Sequence, residues 1–174
     1  MKKAGLLLTL IVGVVILLTR TIAAMAASAT NPQQGAVTLA PVNGGTISAS
    51  ATIIDLGISL TVSGSATGLN PLQTYYSLFY DTGSVPTSPK ACLPTNNSLS
   101  FAQMLVGPWA TPAGGGRSVL SSVRTGPQYA PLSALGTMSV RLDTQPLSPP
   151  PTAPNPQRFV LQACGKIVPT VSPY

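Results

Sequence analysis

The sequence predicts an all-β fold, and three observations favour it. The 174 residues include 18 Pro and 16 Gly, which break up helical runs and favour short strands joined by turns. Only 7% of the residues are charged, against about 25% in an ordinary globular domain. This composition excludes a highly charged disordered tail and a long solvent-exposed helix. Several segments alternate between apolar and polar residues, as half-buried strands do.

Eight segments are candidate strands, because each of them alternates in polarity between turn signals. In the second segment, Ile47 and Ile53 lie on the same face. In the third, Leu60 and Val62 lie on one face and Ser63 lies on the opposite face. In chain order, the predicted strands are residues 36–40, 46–54, 58–66, 74–80, 101–106, 118–123, 137–142 and 158–167.

The connections between these segments differ in length. Residues 55–57 are short enough to join the second and third strands as a hairpin. Two long connections, residues 81–100 and 144–157, contain several prolines. Because proline fixes φ and lacks a backbone donor, we expect the second to be an extended, solvated excursion with a polyproline tendency. Residues 111–116 contain three glycines but lack the Lys-Ser/Thr of a phosphate-binding loop, so we interpret them as a flexible turn.

The N-terminus has the order of a secretory signal. Lys2 and Lys3 precede an apolar run over residues 4–18, and small residues follow at 23–29. The run is shorter than the ~20 residues that a membrane span needs, and Arg20 interrupts its continuation, which makes an uncleaved anchor the weaker alternative. We therefore expect a signal peptide over residues 1–26, with cleavage after residue 29 as the alternative, and a secreted or periplasmic product without a membrane span.

Beyond the signal, the chain is long enough for one domain. We place a short linker at residues 27–35, a single β-barrel domain at 36–168 and a C-terminal tail at 169–174. The full chain carries a net charge of +6, and loss of the three N-terminal cations would leave +3. The remaining cations are scattered singly, without the cluster or stripe typical of nucleic-acid binding, so we expect no nucleic-acid partner.

The two cysteines, Cys92 and Cys164, form an even pair in a chain that we expect to be exported, and this predicts a disulfide. Closing a loop of that length stabilises a fold by about 4 kcal/mol in the chain-entropy model. Free thiols or thiols bound to a metal are the alternative. The chain has no CxxC motif and no His, which argues against a metal site.

Short motifs between residues 34 and 168 occur in a recognisable order. They are Ala36-Val37-Thr38-Leu39, Gly45-Thr46-Ile47, the V-x-G-x-A-x-G-L-x-P sequence over residues 62–71, residues 135–140, and Ala163-Cys164-Gly165-Lys166-Ile167. In this collinear order the chain resembles the copper/zinc superoxide dismutases. The resemblance implies a flattened Greek-key barrel in which Cys92 corresponds to the family's loop cysteine and Cys164 to its partner.

The metal-binding histidines of that family are absent. Its copper-binding His-x-His corresponds here to either Ser77 and Phe79 or Leu78 and Tyr80, and a further copper-binding His falls in the strand that contains Arg141. The zinc-loop histidines have no counterpart between residues 92 and 109. The family's active-site Arg has only a displaced candidate, Arg158. We therefore expect neither copper nor zinc to bind, no cofactor and no superoxide dismutase activity.

Aromatic residues suggest a binding surface. Tyr75, Tyr76, Phe79 and Tyr80 lie within six residues of one another, and Trp109 follows a proline. On a strand, Tyr76 and Tyr80 share one face while Tyr75 and Phe79 share the other, so we expect one set in the core and one exposed aromatic face. These five residues are the candidate partner-binding residues. Core packing of the strand and loop anchoring by Trp109 are the alternative interpretations.

The residue types of common catalytic sites are largely missing. The chain contains no Glu and no His, which excludes a Ser-His-Asp triad and removes the usual general acids and bases. Asp55, Asp81 and Asp143 lie at a turn, at the start of a loop and at a strand end, where Asp commonly accepts hydrogen bonds from backbone donors. No D-x-D pattern favours calcium.

The sequence is therefore typical of a non-catalytic exported β-barrel that acts as a surface, matrix or binding module. We expect its partner to be a protein or a polysaccharide at the cell surface. The alternatives are a secreted enzyme whose site one sequence does not reveal, and a domain that binds sugar or protein through its aromatic strand. With so few carboxylates, we also expect stability to be nearly independent of pH.

Overall fold

The computed structural model describes residues 31–81, 92, 97–146 and 158–170. The predicted signal peptide, most of the long connection after residue 81 and the proline-rich segment 147–157 lie outside the described residues. All described residues except Asn31 belong to one compact unit, Pro32–Tyr174. Within the described part of the chain, no helix is long and apolar enough to cross a membrane.

Eight strands make up most of the described structure, together with one short helix and two single 3-10 turns, Gly126–Gln128 and Leu132–Ala134. The helix, α1, is Phe101–Met104. In chain order the strands are β1 Gln33–Pro41, β2 Ser48–Asp55, β3 Ser59–Thr67, β4 Thr74–Asp81, β5 Leu105–Pro108, β6 Ser118–Thr125, β7 Leu135–Asp143 and β8 Phe159–Thr170.

The strands form one antiparallel sheet in the order β5-β4-β7-β8-β1-β2-β3-β6. Its two end strands, β5 and β6, lie next to each other, so the sheet is nearly closed into a barrel. Strand β7, which follows β5 and β6 along the chain, returns to pair with β4, and this is a Greek-key connection. The predicted all-β barrel is confirmed. We call β5, β4, β7 and β8 the covered half, and β1, β2, β3 and β6 the open half.

One predicted strand is partly wrong. Residues 101–104 of the segment 101–106 form α1, and β5 begins only at Leu105. The cause is a capping box, in which the Ser100 hydroxyl accepts from Gln103 N at 3.3 Å and Gln103 Oε1 accepts from Ser100 N at 3.0 Å. At the ends of the barrel, β1 begins at Gln33, inside the predicted linker, and β8 ends at Thr170, inside the predicted tail.

The barrel interior is the main hydrophobic core. Every strand contributes to it through alternate residues, and the side chains of Leu39, Ile53, Leu60 and Phe79 are completely buried. Trp109 closes one side of this core. Its indole lies against Gly64, where an added Cβ would come within 3.2 Å of the ring and 2.8 Å of the Ser50 carbonyl oxygen. A residue without a side chain is therefore required at position 64 for the indole to pack.

Side chains close the seam between β5 and β6. Arg124 on β6 is buried, and its guanidinium donates to four backbone carbonyls of α1 and β5, those of Ala102, Gln103, Leu105 and Val106. The hydroxyl of Ser122 donates to the Val106 carbonyl at 2.6 Å. Burial lowers the pKa of Arg124 to about 10, so the group still carries its charge at neutral pH. Arg124 therefore links α1 and β5 to β6 across the seam.

Candidate functional site

The positions at which the resemblance to the dismutases predicted a lost copper site lie on β4 and β7 and are filled by packed side chains. Ser77 and Phe79 point into the barrel, whereas Leu78 and Tyr80 point outward into a second, smaller core. The Ser77 hydroxyl is fully buried and accepts a hydrogen bond from Trp109 Nε1 at 2.9 Å. Neither side of β4 thus presents an open cleft at these positions.

Arg141 on β7 holds the second core together. Its side chain is buried and donates to the carbonyls of Phe159, at 2.7 Å, and of Cys92, and Nε lies 3.3 Å from the Ser139 hydroxyl. The guanidinium also lies 5.6 Å from the centre of the Tyr80 ring. Burial raises the pKa of Tyr80 despite the opposing effect of the Arg141 charge. Arg141, which the resemblance placed in the strand of a lost copper ligand, is therefore a structural group here.

The predicted disulfide between Cys92 and Cys164 is present, with the two Cα atoms 6.0 Å apart. Cys92 is completely buried and packs with Leu78, Tyr80 and Met104 on the outer surface of the covered half. The bridge joins residues 72 positions apart. The bridge thus ties the second core to β8. It also fixes the position of the Cys92 carbonyl, to which Arg141 donates.

The three carboxylates each accept hydrogen bonds from nearby groups, as predicted. Asp55 accepts from Gly57 N at 2.8 Å within its turn, and also from Leu132 N at 2.7 Å. Asp81 accepts from Ser98 N at 2.6 Å. Among the described residues, no cluster of three or more His, Cys, Asp or Glu side chains could hold a metal ion.

Asp143 and Arg158 form a buried ion pair with two hydrogen bonds. Arg158 Nε lies 2.8 Å from Asp143 Oδ1, and Nη2 lies 2.9 Å from Oδ2. Burial acts to raise the pKa of Asp143, but the hydrogen bonds from Arg158 and from Gln145 N outweigh it, and the pKa is lowered. Arg158, the displaced candidate for an active-site arginine, thus joins the end of β7 to the start of β8.

The aromatic candidates are mostly inside the protein. Tyr75, Phe79, Tyr80 and Trp109 are all at most 5% exposed, so they cannot form the expected aromatic surface. The outward face of β4 is covered because the second core packs on it. Tyr76 is half-buried, with its ring edge-on to Phe159 at 5.7 Å between centroids. The aromatic strand therefore has the core role that was the alternative interpretation.

An open groove lies on the opposite side of the barrel. We call it the hydroxyl groove; it has a volume of about 390 Å³ and continues into an adjoining space of about 230 Å³. Thr38, Ser50 and Ser65 pair across β1, β2 and β3 to form one row, and Thr52 and Ser63 pair in the next. Arg117 lies at one end.

Sequence reasoning did not identify this groove as a site. The alternation that predicted β2 and β3 already placed Ser63 on the outer face. Which hydroxyls become neighbours depends on the register of three strands, and the alternation within each strand does not specify that register.

No protein-family model matches this chain, and no curated protein matches it either.

Proposed function

We propose that this chain is a non-catalytic, exported β-barrel module that binds a partner at the cell surface or in an extracellular matrix through its open half. The observation that carries the proposal is that the two halves use the polar side chains on their outer faces differently. On the outer face of the covered half, the buried side chains of Arg141, Asp143 and Arg158 make structural contacts, while the outer face of β1, β2 and β3 presents a groove of neutral polar side chains. The buried Asp55 and Arg124 of the open half lie on the inner side of their strands.

Contacts at the copper-site positions support a role without metal chemistry. Copper in a dismutase-type site needs several imidazole ligands, and the sequence contains no His. Ser77 accepts from the Trp109 indole, Leu78 and Phe79 pack in the two cores, and the Arg141 cation would repel a metal ion. Both cysteine sulfurs are held in the disulfide.

We take the barrel to resemble a superoxide dismutase-like domain without its metal site, and the Greek-key order of the strands agrees with that resemblance. Export is supported by the Lys-apolar-small order of the N-terminus and by the disulfide, since disulfides persist mainly in oxidising compartments. Secretion can be tested by N-terminal sequencing of material from the culture medium, which should begin near residue 27 or 30.

Metal content and activity test the functional proposal. The purified chain is dialysed against copper and zinc, then measured by plasma mass spectrometry and assayed for superoxide consumption. We expect far less than one equivalent of either metal and no acceleration of superoxide decay. One bound copper per chain with rapid turnover would contradict the proposal.

A further inference from the structure

We propose that the hydroxyl groove binds a neutral polysaccharide chain. This inference rests on the proposed function and specifies the chemistry of its partner. The outer residues of the central strands that line the groove are small and uncharged, and Thr38, Ser50 and Ser63 are exposed. Each hydroxyl offers one donor and two acceptor positions, the same capacity as the hydroxyls of a sugar.

The spacing of the rows fits a polymer. Neighbouring strands lie about 4.8 Å apart, so a chain lying across β1, β2 and β3 meets a protein hydroxyl at intervals close to the length of one pyranose ring. The row Thr38, Ser50 and Ser65 gives three such positions, and Thr52 and Ser63 give two more. The Thr methyl groups and the Ala36 side chain supply apolar contacts for sugar C–H groups.

The near absence of charged side chains in the groove favours a neutral ligand over an anionic one. Among the described residues that line the groove and its extension, Arg117 is the only charged side chain, and it lies at one end. A polyanion binds through many cations and follows a positively charged surface. The middle of this groove provides no cation, so a nucleic acid or a sulfated polymer gains little there.

Shape and backbone pairing disfavour two protein occupants. An extended peptide that adds to a sheet needs unpaired backbone groups at an edge, whereas β1, β2 and β3 are each paired on both sides. A second copy would meet this face with the same face. Two copies of the groove would face each other without charge complementarity, because its middle carries no charged side chain, so a neutral polymer suits the groove better.

Chemical-shift titration of the isotope-labelled full chain tests the proposal. The probes are cellohexaose and laminarihexaose, with a sulfated heparin hexasaccharide as the anionic comparison. We expect at least one neutral hexasaccharide to shift the amide signals of Thr38, Ser50 and Ser65, and the sulfated probe to bind more weakly. Preferential binding of the sulfated probe, or shifts confined to the covered half, would overturn the inference.

A pair of charge-matched variants locates the site. Ser50→Lys places a long cation in the middle of the groove and should weaken binding of the neutral probe at least about tenfold, because it obstructs the ligand. Ser133→Lys makes the same change at an exposed serine outside the groove and should leave binding unchanged. Circular dichroism verifies that both variants fold. Equal effects of the two variants would refute the groove as the site.

The proposed function and this inference can fail separately. If neither neutral hexasaccharide binds, but a partner from the native medium cross-links to the open half, the polysaccharide inference is wrong and the binding-module proposal stands. If the chain binds copper and consumes superoxide, the functional proposal itself is wrong.

Discussion

The two halves of the barrel use polar residues in opposite ways. In the covered half, β7 is buried on both faces, and Arg141 and Ser139 lie beneath the second core. In the open half, Ser50 and Ser63 lie on the solvent side of strands whose other side packs in the barrel. A polar residue on the outer face of a strand is therefore a buried structural group in the covered half and a solvent-exposed group in the open half. Burial beneath Cys92 and the other side chains of the second core turns the polar residues of the covered half into structural groups.

Removing the disulfide should cause the largest loss of stability, because the bridge attaches Cys92 and the second core to β8. For the 72-residue separation, replacing Cys92 and Cys164 together by Ala should lower the free energy of unfolding by about 4 kcal/mol. Urea unfolding measures this change. A loss below about 1 kcal/mol would show that the second core holds without its covalent link.

Breaking the barrel seam should have the next largest effect. Arg124→Met removes the guanidinium and with it the hydrogen bonds to the part-buried carbonyls of Ala102, Gln103 and Leu105, at a cost of about 1–3 kcal/mol for a group left unsatisfied. Arg117→Met, at an exposed arginine of the open half, is the matched control and should change stability by no more than about 0.5 kcal/mol. Similar losses for the two variants would show that the contacts of Arg124 across the seam do not stabilise the barrel.

Acid should act on the covered half through Asp143. Its lowered pKa means that the carboxylate is favoured in the folded state, so its contribution is complete above the ordinary pKa of about 3.9 and is lost as pH falls through the folded value. Stability should therefore be nearly flat from neutral pH down to about pH 4 and decline below it. Urea unfolding at a series of pH values measures the profile.

Asp143→Asn is the control for this pH dependence. The amide does not titrate, so the variant should be less stable at neutral pH and should lose less on acidification than the parent. An unchanged acid slope would contradict the assignment of the decline to Asp143.

The sequence predicted the strands better than the surfaces. Alternation in β2 and β3 gave both strands and the buried positions of Ile53 and Val62. It could not show that the outer face of β4 is buried, because that depends on which distant segment packs there. The cysteine pair indicated the link to Cys164, but not that Tyr80 would lie beneath it.

The short helix shows a different limit. Ser100 and Gln103 form a capping-box pattern that was visible in the sequence. The apolar residues that follow also fit a strand. The prediction therefore followed the alternation of apolar and polar residues and not the capping-box pattern. The hydroxyl groove could not be predicted for a third reason, since it exists only once Thr38, Ser50 and Ser65 are aligned across three strands.

The same chemical change made once in each half tests the central distinction most directly. Ser139→Ala removes a buried outer hydroxyl of the covered half, which accepts from Arg141 Nε, and Ser50→Ala removes an exposed outer hydroxyl of the groove. Urea unfolding should show a loss of about 1–3 kcal/mol for Ser139→Ala, because a buried donor is left unsatisfied, and a change within about 0.5 kcal/mol for Ser50→Ala. Equal losses, or a larger loss for Ser50→Ala, would contradict the assignment of a structural role to the outer polar residues of the covered half and of a binding role to those of the open half.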